Sequence, residues 1–232
     1  ATECELANFE FTAYKKSPKE GWGFVKTVEV VVSGPHAKID VALKRGKIIG
    51  EEINRARTLS NTPGGDMTPV ALAREAVRVG RYVGFKTKII NEGGIRKLKM
   101  GGVLGVSQGS KERPKFINME YLKGKKGEKP VVLVGKGVTF DTGGLNLNPT
   151  DHIYEMHMDM SGGAAVIHTI AALARLKIKK NIVGLVPAVE NMTSGSSYRP
   201  GDLLKTMSGK TIEVLNTDAE GRLTLADVLS YA

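Results

Sequence analysis

Cysteine is almost missing from this chain: Cys4 stands alone, so no disulfide can form within it. A single thiol fits a reducing compartment. Aromatic residues are scarce at 6% while glycines number 28, a balance that points to an α/β protein with tight turns and away from a β-sandwich. Long apolar runs are missing too. None approaches the ~20 residues of a membrane helix. The first residues show no basic segment leading into an apolar one, so no secretion signal is expected. A cytoplasmic location without a membrane partner is the resulting expectation. No internal repeat and no low-complexity segment is present.

Acidic residues are outnumbered, 24 against 34 lysines and arginines, giving a net charge of +10. Lysines gather at Lys123, Lys125 and Lys126 and again at Lys177, Lys179 and Lys180. Such a balance can attract nucleic acid. The plainer reading is solvated loop charge, because no aromatics interleave with the lysines and no DNA-binding motif accompanies them.

At 232 residues the chain can build one large domain, or one domain and part of another. Phe24 to Val32 is rich in β-branched residues and reads as a strand. Residues 38–59 carry apolar positions at helical spacing, with Gly46 and Gly50 as candidate breaks. Thr68-Pro69 supplies a cap and a proline at the first helical position, which predicts a helix to about Val83. Strands are expected at 86–91, 116–121, 130–134, 181–189 and 211–215, and helices at 94–99, 161–176 and from Arg222 onward. The apolar run 130–134 reads as a strand covered on both faces. Strands alternating with helices predict parallel β-α-β units with helices on each face. The chain opens on Ala1 and ends at Tyr231-Ala232 without a glycine cap, so it reads as a fragment at both ends.

Three segments carry chemistry. Asn216-Thr217-Asp218-Ala219-Glu220-Gly221-Arg222 follows a short strand and precedes a helix, the edge where α/β sheets bind ligands. If extended, it would send Asp218, Glu220 and Arg222 to one side; alternatively, the acids simply favour a helix N-terminus. In Gly135 to Gly144, the Gly-Lys pair lacks the glycine spacing and the hydroxyl residue of a phosphate loop. There Lys136 and Asp141 are either an ordinary ion pair or part of a site beside Asp218. A lysine that ligates a cation must be neutral, and a neighbouring metal favours that deprotonation. Asp159, in Met156 to Gly163, precedes an apolar helix. It is either the helix cap or a carboxylate that needs a cation. His152 and His157 lack the spacing of a zinc-binding His pair.

These three motifs, in this order, resemble the leucyl aminopeptidase family of metallopeptidases. Asn216 to Leu223 matches the family's octapeptide residue for residue. Asn54 to Pro63 resembles the family's helix and following proline turn, and Met100-Gly101-Gly102 with Gln108-Gly109-Ser110 resembles its next motif. The resemblance implies a mixed, mainly parallel sheet flanked by helices, in an α/β catalytic domain lacking its C-terminal part. In this arrangement residues 1–36 would be the remnant of a smaller N-terminal domain, 37–60 a linking helix and 61–232 the catalytic domain.

The resemblance also implies a metal-dependent aminopeptidase. One ion would be held by Lys136, Asp141, Asp159 and Glu220, the other by Asp141, Asp218 and Glu220. Oxygen-rich sites with two ions ~3.5–4 Å apart suit Zn2+, Mn2+ or Mg2+. The pair would activate a water and hold the free α-amine of a peptide. Arg222 corresponds to the arginine that holds bicarbonate as general base. Met156 corresponds to a residue lining the pocket for the first side chain, which implies leucine or another hydrophobic residue there. A homo-hexamer is implied as well. The sequence departs from the family at Asn148, where a lysine that polarises the substrate carbonyl is usual, so weakened turnover is expected. The alternative is a catalytically compromised relative that binds DNA or another partner.

Overall fold

A computed structural model describes residues 1–34 and 36–232; Pro35, beside the expected domain boundary, lies outside the described residues. In chain order the elements are α1 (Thr2–Ala7), α2 (Ala37–Asn61), α3 (Pro69–Val83), β1 (Lys86–Asn91), α4 (Glu92–Lys97) and α5 (Gly101–Ser107). There follow β2 (Lys115–Leu122), β3 (Val131–Val134), β4 (Gly137–Asp141), α6 (Thr150–Ile153), α7 (Ser161–Arg175) and β5 (Asn181–Asn191). The chain closes with β6 (Leu203–Lys205), β7 (Thr211–Glu213) and α8 (Glu220–Tyr231).

The main sheet is mixed. β5 runs through its middle, antiparallel to β2 and parallel to β3 and β4, while β1 pairs β2 antiparallel at one edge. Alternation along β2 and β5 divides the core between the two faces. Ile117, Met119, Val186 and Ala188 pack with Leu72 and Ala76 of α3 and Ile167 and Ile170 of α7. Phe116, Leu185 and Val189 pack with Val103 and Val106 of α5 and Leu223 and Val228 of α8. Helices therefore cover both faces, as the alternation of elements predicts.

Local chemistry explains most boundaries. Thr68 Oγ1 accepts the Ala71 amide at 3.3 Å, Pro69 opens α3, and Gly84 ends it at φ +90°. α2 is unbroken at both candidate breaks, Gly46 and Gly50. A Cβ at Gly50 would lie 2.5 Å from Glu5 Cβ, so the glycine there admits the close approach of α1 without bending α2.

Two expectations are corrected. Residues 24–32 form no strand. Val25, Val28, Val30 and Val31 are exposed, Val31 by 94%, and no strand pairs with them among the described residues; β propensity without a partner edge does not make a sheet. β3 pairs β5 alone among the described residues; Leu133 packs into the core on one face and Val132 and Val134 into the core on the other, with Val131 exposed at the strand's start, so both faces are covered as expected. Residues 137–141, hidden between glycines, form β4. Among the described residues, no helix is long and apolar enough to cross a membrane.

Candidate metal centre

β4 and β5 run parallel and end together, with Asp141 opposite Asn191. A bulge at Thr139, between Val138 and Phe140, shifts the register by one residue and produces that pairing. The C-terminal ends of these strands carry the site. The loop from β3 to β4 supplies Lys136, whose carbonyl accepts the Gly163 amide at 2.7 Å and so ties this loop to the start of α7. Asp159 follows the short 3-10 turn Met156–Met158. It does not cap α7: the cap position is Met160, and no side chain caps the helix there.

The octapeptide is not extended. Thr217–Ala219 is a 3-10 turn, capped by Asn216 Oδ1, which accepts the Asp218 amide at 2.7 Å, and α8 starts at Glu220. The expected one-sided row of Asp218, Glu220 and Arg222 is therefore replaced by a turn. Asp218 and Glu220 converge, and Arg222 stands exposed on the first turn of α8, outside any ion pair among the described residues.

Ligand oxygens of Asp141, Asp218 and Glu220 all lie within 4.8 Å of one another. Lys136 Nζ sits 2.6 Å from Asp159 Oδ2 and 2.6 Å from Glu220 Oε1. Neither approach has hydrogen-bond geometry, so Asp159 Oδ2 and both Glu220 oxygens are buried without a hydrogen bond. Four carboxylates thus face one lysine. Two glycines make room for this. A Cβ at Gly221 would come within 3.0 Å of Lys136 Cδ and Cε. At Gly143, with φ +83°, it would come within 3.1 Å of Asp218 Oδ1.

The electrostatics follow from burial and crowding. Desolvation, with Asp141 close by, pushes Glu220 up to about 7. Desolvation also raises Asp159 to about 6, against the pull of Lys136. Burial alone would lower the Lys136 ammonium, but its contacts with Asp159 and Glu220 outweigh that and hold it above the ordinary lysine value. Buried carboxylates of this kind are costly unless a cation compensates them. The orphaned oxygens and the excess of acid over base fit a divalent-cation centre.

Other expected residues lie apart. His152 is exposed, and His157 Nδ1 lies 3.2 Å from the Tyr154 carbonyl; neither joins the cluster. Met156 is half-buried on the turn before Asp159. Asn148 Nδ2 donates to Asp218 Oδ1 at 2.9 Å, so this side chain engages the acidic cluster itself.

Several residues around the centre have no counterpart in the sequence reading. Thr217 Oγ1 donates to the Gly143 carbonyl at 2.6 Å, and its amide donates to Asn146 Oδ1 at 2.9 Å. Tyr198, fully buried, donates to the Thr217 carbonyl at 2.5 Å. Its hydroxyl is pushed up by desolvation and by the carboxylates of Glu220, Asp141 and Asp218. Asn191 donates to both Asp141 and Thr217. A polar residue just beyond the expected strand end at 189 is the signal that could have marked Asn191.

Comparison with known proteins gives a consistent result. A family model described as "Cytosol aminopeptidase family, catalytic domain" matches residues 54–232. A probable cytosol aminopeptidase of Aromatoleum aromaticum is 45% identical over 218 residues, 94% of this chain and 43% of that protein. The cytosol aminopeptidase of Rickettsia prowazekii is 44% identical over 232 residues, 100% of this chain and 46% of that protein. Among solved structures, the bottromycin maturation enzyme BotP in complex with Mn superposes with a TM-score of 0.87 at 34% identity, over 100% of this chain and 48% of its own. The chain therefore spans less than half the length of these relatives.

Proposed function

From the premise that the chain belongs to the cytosol aminopeptidase family, we propose that it is the metal-bearing part of an aminopeptidase that removes N-terminal residues from peptides. The observation that carries this is the acidic cluster: three carboxylates within 4.8 Å and Lys136 at 2.6 Å from Glu220 and Asp159. Lys136, Asp141, Asp159 and Glu220 would hold one divalent ion, and Asp141, Asp218 and Glu220 the other. Bound there, the ions would supply Lewis acidity for water activation and a docking point for a free α-amine. The complex of BotP with Mn supports a divalent metal, and Mn2+ and Zn2+ are the candidates we propose.

The protein's own groups set the rest. Asp141 and Glu220 are the shared carboxylates, and the burial and crowding that raise Glu220 are offset by a cation. Arg222, exposed beside Gly221, is free to hold bicarbonate as the base. Met156 would contact the first side chain of a hydrophobic substrate such as leucine. Asn148 offers an amide donor in place of a charged lysine, which weakens oxyanion stabilisation. A cytoplasmic homo-hexamer completes the proposal, and light scattering behind size exclusion tests the assembly. Nucleic-acid binding through the lysine-rich loops is the lesser reading, because the relatives matched are named as peptidases.

The test is an assay of purified chain with Mn2+ or Zn2+ on Leu-Gly-Gly and its N-acetylated form, with elemental analysis after dialysis. Two bound ions and release of leucine from the free peptide alone are expected. Absence of bound metal, or equal cleavage of both peptides, would reject the proposal.

A further inference from the structure

We infer that Asn191 is a positioning residue that sets Asp141 for metal binding and joins the two acid-bearing loops; this rests on Asp141 being a ligand. Asn191 ends β5 and is 0% exposed. Its Nδ2 group has two hydrogens and two acceptors: Asp141 Oδ1 at 2.8 Å and the Thr217 carbonyl at 2.9 Å. The orientation of the amide follows from chemistry. Reversed, its oxygen would face a carboxylate and a carbonyl.

Asp141 Oδ1 also accepts the Gly143 amide at 2.7 Å. Two donors thus occupy one carboxylate oxygen and fix the plane of the group. Among the described residues no donor reaches Oδ2, which is left for the acidic cluster. The Thr217 carbonyl belongs to the residue immediately before Asp218, so the second hydrogen bond locates the other loop. One side chain thereby sets the spacing between Asp141 and Asp218.

Asn191 Oδ1 is buried and accepts no hydrogen bond. An orphaned acceptor costs stability, so a residue chosen for packing alone would not carry it. The two donors are the reason for an amide here. Backbone pairing does not require it either: the Asn191 carbonyl, which accepts the Thr142 amide at 2.9 Å, would persist in any residue.

Residues that orient a ligand typically alter metal affinity by about 10–100-fold when removed. The test compares the chain with Asn191→Leu, which keeps volume and loses both donors, and Asn191→Ser, which is small and cannot reach Asp141. Calorimetric titration of metal-free protein with Mn2+ is paired with visible spectra of the Co2+ form, and folding is checked by circular dichroism. The expected result is a loss of about 10–100-fold in Mn2+ affinity and a changed Co2+ spectrum in each folded variant. A lower melting temperature with unchanged Mn2+ affinity and Co2+ spectrum in either folded variant would show a merely structural asparagine and overturn the inference. If the parent chain takes up no Mn2+, the ligand assignment fails first and this inference falls with it.

Discussion

Two carboxylate clusters are buried in this molecule, and they are built on opposite rules. Between α2 and α7, Glu52 is 1% exposed and is met by His168 Nδ1 at 2.8 Å, Arg175 at 2.6 Å and Arg55 at 2.8 Å. At the ends of β4 and β5, Glu220 is also 1% exposed, yet it shares one lysine with Asp159 and faces Asp141 and Asp218. Burial pushes both glutamates up. For Glu52, the His168 and Arg175 contacts overcome it and the pKa ends below the ordinary value; for Glu220 the Lys136 contact does not, and the pKa ends at about 7. Equal burial therefore does not mean equal role. In the first cluster Arg55 and Arg175 already balance the carboxylate, although His168 Nε2 is buried without a hydrogen bond, whereas the second lacks positive charge.

The sharpest break of the comparison is to neutralise one member of each. Glu220→Gln should remove peptidase activity by at least about a thousandfold, some 4 kcal/mol of transition-state stabilisation. The metal-free chain should melt no lower, since an uncompensated buried charge is gone. A variant that retains turnover with leucine p-nitroanilide would place the chemistry elsewhere. Next in size is Asn148→Lys, which supplies a cation to the deficient cluster. Turnover should rise by ~10²–10³, the usual worth of one oxyanion donor. If the new lysine lowers Mn2+ affinity and leaves kcat unchanged, it is only pairing with Asp218, and the weakened-oxyanion reading is wrong. Glu52→Ala should act in the opposite sense to Glu220→Gln. It should cost about 3 kcal/mol in urea unfolding, near the low end for breaking a buried pair because Arg175 keeps Glu51. Its Mn2+ affinity per folded molecule should not change.

The two clusters also differ in how visible they are in the sequence. Lys136, Asp141, Asp159, Asp218 and Glu220 lie in short motifs whose glycines and strand-end positions mark them, and the structure brings all five together. The helices α3 and α7 and strands β1, β2 and β5 were legible as well, because capping, proline placement and apolar periodicity are local properties. Glu52, His168 and Arg175 had no such mark. Their meaning depends on α2 crossing α7, which no local pattern encodes. Asn191 was hidden for the same reason: its partners lie 50 and 26 residues away. β4 was missed because Gly137 at its start, with Gly135 before it and Gly143 and Gly144 after it, masked a five-residue strand whose formation depends on β5. Residues 24–32 err the other way, with strong local β preference and no edge to satisfy it.

The smallest expected effect is a pH dependence that separates the clusters without mutation. Asp159 and Glu220 have pKa values raised from the ordinary 3.8 and 4.5 to about 6 and about 7. Between those limits the folded chain binds more protons than the unfolded one. Their contribution to stability is therefore complete below pH 4 and is lost as pH rises through 6 and 7. Glu52 has the opposite sign: its contribution is present above the ordinary glutamate value and disappears only as pH falls through its depressed pKa. The melting temperature of metal-free protein should thus decline from pH 5 to pH 7.5 relative to Glu220→Gln, which removes one of the two titrating groups. Because ligation requires deprotonated carboxylates, Mn2+ should reverse the trend by stabilising the chain more at pH 7.5 than at pH 5. Thermal scans at both pH values, with and without Mn2+, read this directly. Parallel curves for parent and Glu220→Gln would mean that the second cluster is compensated from within, as the first one is, and that it needs no cation.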